Sequence, residues 1–230
     1  MTIRSSYAVV AITLAGLCNP GFADGSIKGT VNFVGEAPER GTPSNVDKKC
    51  GADVHDEAII VTKGKLAGVL VRIKNGTAGS FAAPAAPVVV DQRACQYSPR
   101  VVGIMVGQEL AVHNADNLFH NVHGTIAGKD VVNKMQNLDD KLSVEAKPAA
   151  GDVIELVCNV HPWMHAYAVV QDHPFFSVTG DDGAFEIKGV PPGTYTLEAW
   201  HPTLGAKSIS VVVGKGGRAN VRATFEYRQQ

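Results

Sequence analysis

Apolar residues in this chain recur every second position, and that period constrains the fold more than any other feature. Ile27, Val31 and Phe33 alternate with Lys28, Thr30 and Asn32, and Val69, Val71 and Ile73 alternate with Leu70, Arg72 and Lys74. Leu110 and Val112 face away from Glu109, Ala111 and His113. Towards the C-terminus the same grammar repeats: Phe185 and Ile187; Tyr195, Leu197 and Ala199; Ile209, Val211 and Val213; then Val221, Ala223, Phe225 and Tyr227. A period of two belongs to half-buried strands, because successive side chains point to opposite faces of a sheet. Val153 to Val157 and Ala166 to Val170 are apolar enough to be buried strands. Gly 24 and Pro 12 supply turns between them, so an all-β chain of short strands is expected. Residues 35–57 form a long polar loop carrying Cys50, residues 78–87 an extended connection, and residues 133–150 one short helix or a long loop.

With 45% hydrophobic and 19% charged residues the chain can bury cores. A net charge of -1 leaves no basic field to hold nucleic acid. At the N-terminus Arg4 precedes an apolar run from Ala8 to Cys18, Pro20 breaks it, and Gly21 and Ala23 are small residues before a cut. Residues 1–23 therefore read as a secretory signal peptide, too short to be a transmembrane segment, with the protein sent to the periplasm or otherwise exported. Leu17 sits where a lipoprotein box wants a small residue, which argues against a lipid anchor on Cys18. Cleavage removes Cys18 and leaves Cys50, Cys95 and Cys158. In an oxidising compartment three thiols cannot all pair, so one needs another task.

Two segments carry chemistry. Cys158-Asn159-Val160-His161-Pro162-Trp163-Met164 places a thiolate, an imidazole and a thioether within seven residues, and Phe119-His120-Asn121-Val122-His123 supplies another imidazole from a separate strand. Two histidines, a cysteine and a weak axial methionine make the ligand set of a blue-copper electron-transfer site. Soft sulfur stabilises Cu(I), while imidazole serves both oxidation states. Zinc is disfavoured because it does not take methionine. Each residue alone would be ordinary core filling; the case rests on their joint spacing.

Cys-x2-His-x2-Met after a strand, with His-Asn-Val-His beginning 38 residues before the Cys, resembles the cupredoxins, amicyanin most closely, over residues 88–172. The resemblance implies a Greek-key β-sandwich holding one copper ion, with His120, Cys158 and His161 as equatorial ligands and Met164 as the axial one. It implies that Asn121 ties the Cys loop to its neighbouring strand. It further implies that His161 lies on an exposed loop where Pro162 and Trp163 form an electron-transfer surface. His123 and His165 are expected to point away from the metal. With Cys158 assigned to copper, Cys50 and Cys95 become the candidate disulfide.

Thr179-Gly180-Asp181-Asp182-Gly183-Ala184-Phe185 and Pro191-Pro192-Gly193-Thr194-Tyr195-Thr196-Leu197 resemble the carboxypeptidase regulatory-like family, a small prealbumin-like (transthyretin-like) sandwich. Gly29-Thr30-Val31 and Gly68-Val69-Leu70-Val71 fit its other strands. Residues 24–82 and 174–230 are thus expected to build one sandwich around an inserted copper domain at 83–173. No nucleophile–base pair suggests an enzyme. The expected function is one-electron carriage between redox proteins, a cytochrome or a dehydrogenase among them. Copper delivery or sensing without electron transfer stands open, as does a surface module that docks carbohydrate or protein.

Overall fold

A computed structural model of the chain describes residues 25–75, 77, 79–215 and 220–228. The expected leader, with Cys18 and Ala23, lies outside the described residues. Among the described residues there are eighteen strands, no α-helix, and one 3-10 turn at Lys48–Cys50. The chain is all-β.

Four sheets form two sandwiches. In the first sheet, β1 (Gly25–Phe33) lies between β15 (Ala184–Val190) and β18 (Asn220–Tyr227), antiparallel to the former and parallel to the latter, with β3 (Lys65–Leu66) and β2 (Val61–Thr62) beyond its end. The second sheet runs β14 (Phe176–Val178), β4 (Leu70–Asn75), β16 (Gly193–His201), β17 (Gly205–Val213). Their facing sides bury Ile27, Val31, Val71, Ile73, Ile187, Leu197 and Phe225, the residues that the alternation had set on one side of each strand. Every strand of this host sandwich comes from residues 25–75 or 176–227.

Residues 88–171 make the second sandwich. One of its sheets runs β10 (Lys129–Gln136), β9 (His120–Ile126), β12 (Val153–Val157), β13 (His165–Gln171), β7 (Val101–Met105). The other runs β11 (Lys141–Ser143), β8 (Leu110–Asn114), β5 (Val88–Arg93), β6 (Gln96–Ser98). Val90, Val112, Val122, Ile154, Leu156 and Ala168 fill the space between them. The short helix considered for 133–150 is absent. Ala127 and Gly128 both take positive φ, 49° and 74°, and turn β10 back on β9 as a hairpin. Backbone pairing therefore makes a strand of a sequence too polar to show the period, and residues 144–152 form the loop.

The sandwiches are joined through a surface that strand alternation had placed outside. Leu70 shares a strand face with Arg72 and Lys74, yet it is fully buried against Val101 and Val169, with Phe176, Tyr167 and Trp200 around them. The fit leaves no room at Gly103, where an added Cβ would stand 2.3 Å from the Phe176 ring and 3.0 Å from Leu70. Beside this patch the buried Glu198 accepts hydrogen bonds from Arg72 and Lys74, and Arg72 also reaches Gln171 of the inserted sandwich at 3.5 Å. Burial works against the Glu198 carboxylate, but these two cations outweigh it and hold the carboxyl below its ordinary range.

A disulfide between Cys50 and Cys95 is a third link. Cys50 ends the 3-10 turn in the long loop between β1 and β2, and Cys95 lies in the tight turn from β5 to β6. The bridge thus ties a loop of the host to a hairpin of the insert.

Two measurements check these contacts. Gly103→Val should cost about 1–3 kcal/mol in chemical denaturation, the usual penalty of overpacking, since β7 must move off Phe176. The second concerns His201, which is 3% exposed and whose Nδ1 accepts from the Thr203 and Leu204 amides at 3.2 Å each. Burial foremost, with the nearby Arg100 cation, holds its pKa down to about 4. The folded pKa lies below the unfolded one, so the unfolded chain takes the proton first. This contribution is complete above pH ~6.5 and is lost as pH falls towards 4. Wild-type protein should lose about 3 kcal/mol more between pH 7 and pH 4 than His201→Gln does.

Candidate metal centre

The end of β12 and the start of β9 lie side by side, and their register sets Val157 opposite His123. The chain then leaves β12 at Cys158 and returns to β13 at His165 through a short loop. That loop closes on itself: the Met164 amide donates to the His161 carbonyl at 2.9 Å and the Cys158 amide to the Met164 carbonyl at 3.3 Å. The closure sets Cys158 and His161 together against His120, the first residue of β9. The Cys158 Sγ lies 3.9 Å from Nδ1 of His120 and 3.9 Å from Nδ1 of His161, and the two Nδ1 atoms are 3.0 Å apart. All three side chains are buried, and Met164 is buried in the same cluster as Cys158.

Asp116 orients the first imidazole. Nε2 of His120 lies 2.9 Å from Asp116 Oδ2 and donates its proton to it, which leaves Nδ1 aimed at the Cys158 thiol. The same carboxylate accepts the amides of Ala94 and Cys95 at 2.6 and 2.9 Å, which fixes it in turn. Burial disfavours a charged His120, but Asp116 and the Cys158 sulfur outweigh it and raise the imidazole to about 9. For Cys158, burial raises the thiol pKa, while His120 and the amide of Asn121, 3.3 Å from Sγ, bring it below the ordinary value. His161 is pushed down, first by burial and then by the His120 charge. Two imidazole nitrogens and an activated thiol thus converge on one point. Soft sulfur with imidazole suits copper or another soft, borderline cation.

Asn121 has the tying contacts expected of it: its Oδ1 accepts the Asn159 amide at 3.3 Å and its Nδ2 donates to Asn133 at 2.9 Å. His123 turns instead to Asp130 and Asn159, and His165 to Glu155 and the Pro162 carbonyl, so neither joins the cluster. The expected exposure of His161 is overturned, because the residue is only 6% exposed. The loop bearing Cys50 lies over it, and both disulfide sulfurs stand within 4.8 Å of a His161 ring nitrogen. Pro162 remains exposed and Trp163 half-buried; the indole is tilted against the His161 ring, centroids 5.2 Å apart, and donates to the Cys95 carbonyl at 2.9 Å. Val46 of the covering loop and Trp163 pack on the same core.

Two contributors were missed from sequence. Asp116 stands four residues before His120, behind Asn114, which accepts the Asp116 amide at 3.1 Å through a turn, and this Asn-Ala-Asp run was the available signal. Tyr97 is buried with its hydroxyl near the carbonyls of Asn121 and Val157, both beside ligand positions, at 3.4 and 3.3 Å. Nothing local to Tyr97 in the sequence announces that role.

Comparison with known proteins adds the following. A family model described as polysaccharide lyase family 4, domain II matches residues 151–221, which span the last two strands of the insert and most of the C-terminal part of the host. No curated protein matches the chain. Among solved structures, a purple cupredoxin from Nitrosopumilus maritimus is 24% identical, covers 36% of this chain and 98% of its own, and has a TM-score of 0.32. A reduced amicyanin variant is 23% identical over 44% of this chain and 98% of its own, with a TM-score of 0.33. A copper-containing nitrite reductase from Thermus scotoductus is 19% identical over 43% of this chain and 25% of its own, with a TM-score of 0.35.

Replacing Asp116 by alanine should leave the Ala94 and Cys95 amides without their acceptor and free the His120 ring. Expected outcomes are a loss of about 1–3 kcal/mol in the metal-free protein and a fall of about 10- to 100-fold in affinity for a soft cation at this cluster, read by denaturation and by competition with a chelator.

Proposed function

We propose that this chain is an exported type 1 copper protein that carries single electrons between redox partners. The observation that supports it is the convergence of Cys158 Sγ with the Nδ1 atoms of His120 and His161 in one buried pocket, 3.9 Å from each. Copper bound there would supply a one-electron exchange between Cu(II) and Cu(I). His120, Cys158, His161 and Met164 would hold it, as the cupredoxin resemblance implies.

The chain's own residues supply the rest of the mechanism. Asp116 holds the His120 ring in one tautomer, and Asn121 pins the loop to β9, so the donors keep their places when the charge at the site changes. Burial of all three donors excludes water. Because His161 is covered, the way in or out runs through Trp163, whose ring meets that of His161 and is half-exposed beside Pro162. A cytochrome or a dehydrogenase docking on Pro162 and Trp163 would come within one aromatic ring of a ligand. The host sandwich, with its carboxypeptidase regulatory-like motifs, would serve as scaffold or as a docking module for protein or carbohydrate.

Burial of His161 under the disulfide-bearing loop favours a second reading, in which the site stores or delivers copper and does not exchange electrons with large partners.

The test is optical. Protein loaded with Cu(II) should show an intense visible thiolate-to-copper band that a reductant bleaches and that Cys158→Ser abolishes. A colourless protein that binds only Cu(I) would overturn electron carriage in favour of delivery, and a protein that takes no copper would overturn both readings.

A further inference from the structure

The Cys50–Cys95 disulfide lies against a proposed copper ligand. Its two sulfurs and a ring nitrogen of His161 all lie within 4.8 Å of one another, and the three residues are 2%, 0% and 6% exposed. A bridge that only stapled the host loop to the insert would need no such neighbour. Opened, it would present two thiols from Cα atoms 5.2 Å apart, both facing that imidazole. Two thiolates with one imidazole are a soft donor set that selects Cu(I) in low coordination.

We infer that Cys50, Cys95 and His161 form a second soft-metal site for Cu(I), which becomes available when a dithiol reduces the bridge. In that exchange the two sulfurs of the dithiol form a new S–S bond while the Cys50–Cys95 bond breaks. Two electrons pass to the protein sulfurs, which take up the two protons the dithiol gives up. Binding Cu(I) then displaces protons from the thiols to solvent.

Access to the bridge is built into the loop above it. Between the end of β1 at Phe33 and the start of β2 at Val61 the chain has no strand, only the three-residue turn Lys48–Cys50, so its opening disturbs no sheet. Clefts of about 480 and 510 Å³ flank this loop at Pro43, and Trp163 borders both. The indole donates to the carbonyl of Cys95 itself.

The shared ligand gives the site its use. Nδ1 of His161 lies 3.9 Å from Cys158, so His161 belongs to both donor sets. A Cu(I) ion held by Cys50 and Cys95 can exchange ligands around that imidazole and reach the inner thiolate without passing through water. The outer site is then an entry station for the inner one. This use rests on the copper function proposed above; the site itself does not.

The test uses the full chain carrying Cys158→Ser, which lacks the inner thiolate. The protein is treated with a dithiol, freed of it without oxygen, and titrated with Cu(I) against a chromophoric Cu(I) chelator. With the bridge intact no Cu(I) should be taken from the chelator; after reduction one Cu(I) per chain should be. Adding His161→Leu should weaken that binding roughly tenfold or more, and Cys95→Ser should abolish the response to dithiol. Circular dichroism and a thiol count follow folding and opening in the same samples. Two free thiols in a folded chain that takes no Cu(I) would overturn the inference. So would a chain that unfolds as soon as the bridge opens. Wild-type protein that shows no thiolate-to-copper band would sink the inner site while leaving this result untouched.

Discussion

The structure depends on one sheet being covered on both faces. Strands β4 and β16 bury Val71, Ile73, Leu197 and Ala199 inside the host sandwich, while Leu70 on the opposite face is sealed by Val101 and Val169. A sheet covered on both sides cannot end a domain. It needs a second sandwich laid against it, and residues 88–171 supply one. With the two bodies fixed to each other, a loop of the host can reach over the ligand-bearing end of the insert, and a disulfide can hold it there. The burial of His161 is therefore a consequence of packing some distance away.

Within the insert, order at the candidate centre runs through Asp116. Its carboxylate takes two amides from the turn that carries Cys95 and also holds His120. One side chain thereby ties the disulfide to the thiol–imidazole cluster. The arrangement is electrostatically consistent, because the acceptor that settles the tautomer of His120 is itself settled by backbone donors. Trp163 repeats the pattern on the other side, touching the His161 ring and the Cys95 carbonyl together.

Much of this was legible in the sequence, and the limits have physical causes. Alternation identified the core faces of β1, β8, β15 and β16, because a strand with one buried face must write that face into every second residue. The same logic failed at Leu70, where the strand is covered on both sides and polar neighbours disguise the second contact. It failed again at β10, where Val132 and Gln136 are the buried residues and no alternation links them. The spacing of His120, Cys158 and His161 predicted their convergence, since a short loop brings nearby ligands together. No spacing reported that a loop around one hundred residues upstream would close over His161, because coverage is a property of tertiary packing. Asp116 left only the faint mark of its Asn-Ala-Asp turn, because its role lies in the amides it accepts, and backbone groups leave no mark on the residues that donate them.

The parallel pairing of β1 with β18, from Ser26↔Asn220 to Phe33↔Tyr227, has a consequence for the order in which the molecule assembles. The central strand of the host emerges from the ribosome before the whole insert, while its partner emerges after it. All strands of the insert are available once residue 171 has been made, and its sheets require nothing beyond it. The insert can fold while the host waits, with β1 unpaired and its apolar face open to water. Contacts so distant in sequence close slowly, and an exposed strand edge is an invitation to aggregate. The early-made half of the host is thus the part of this molecule that most needs shelter during synthesis.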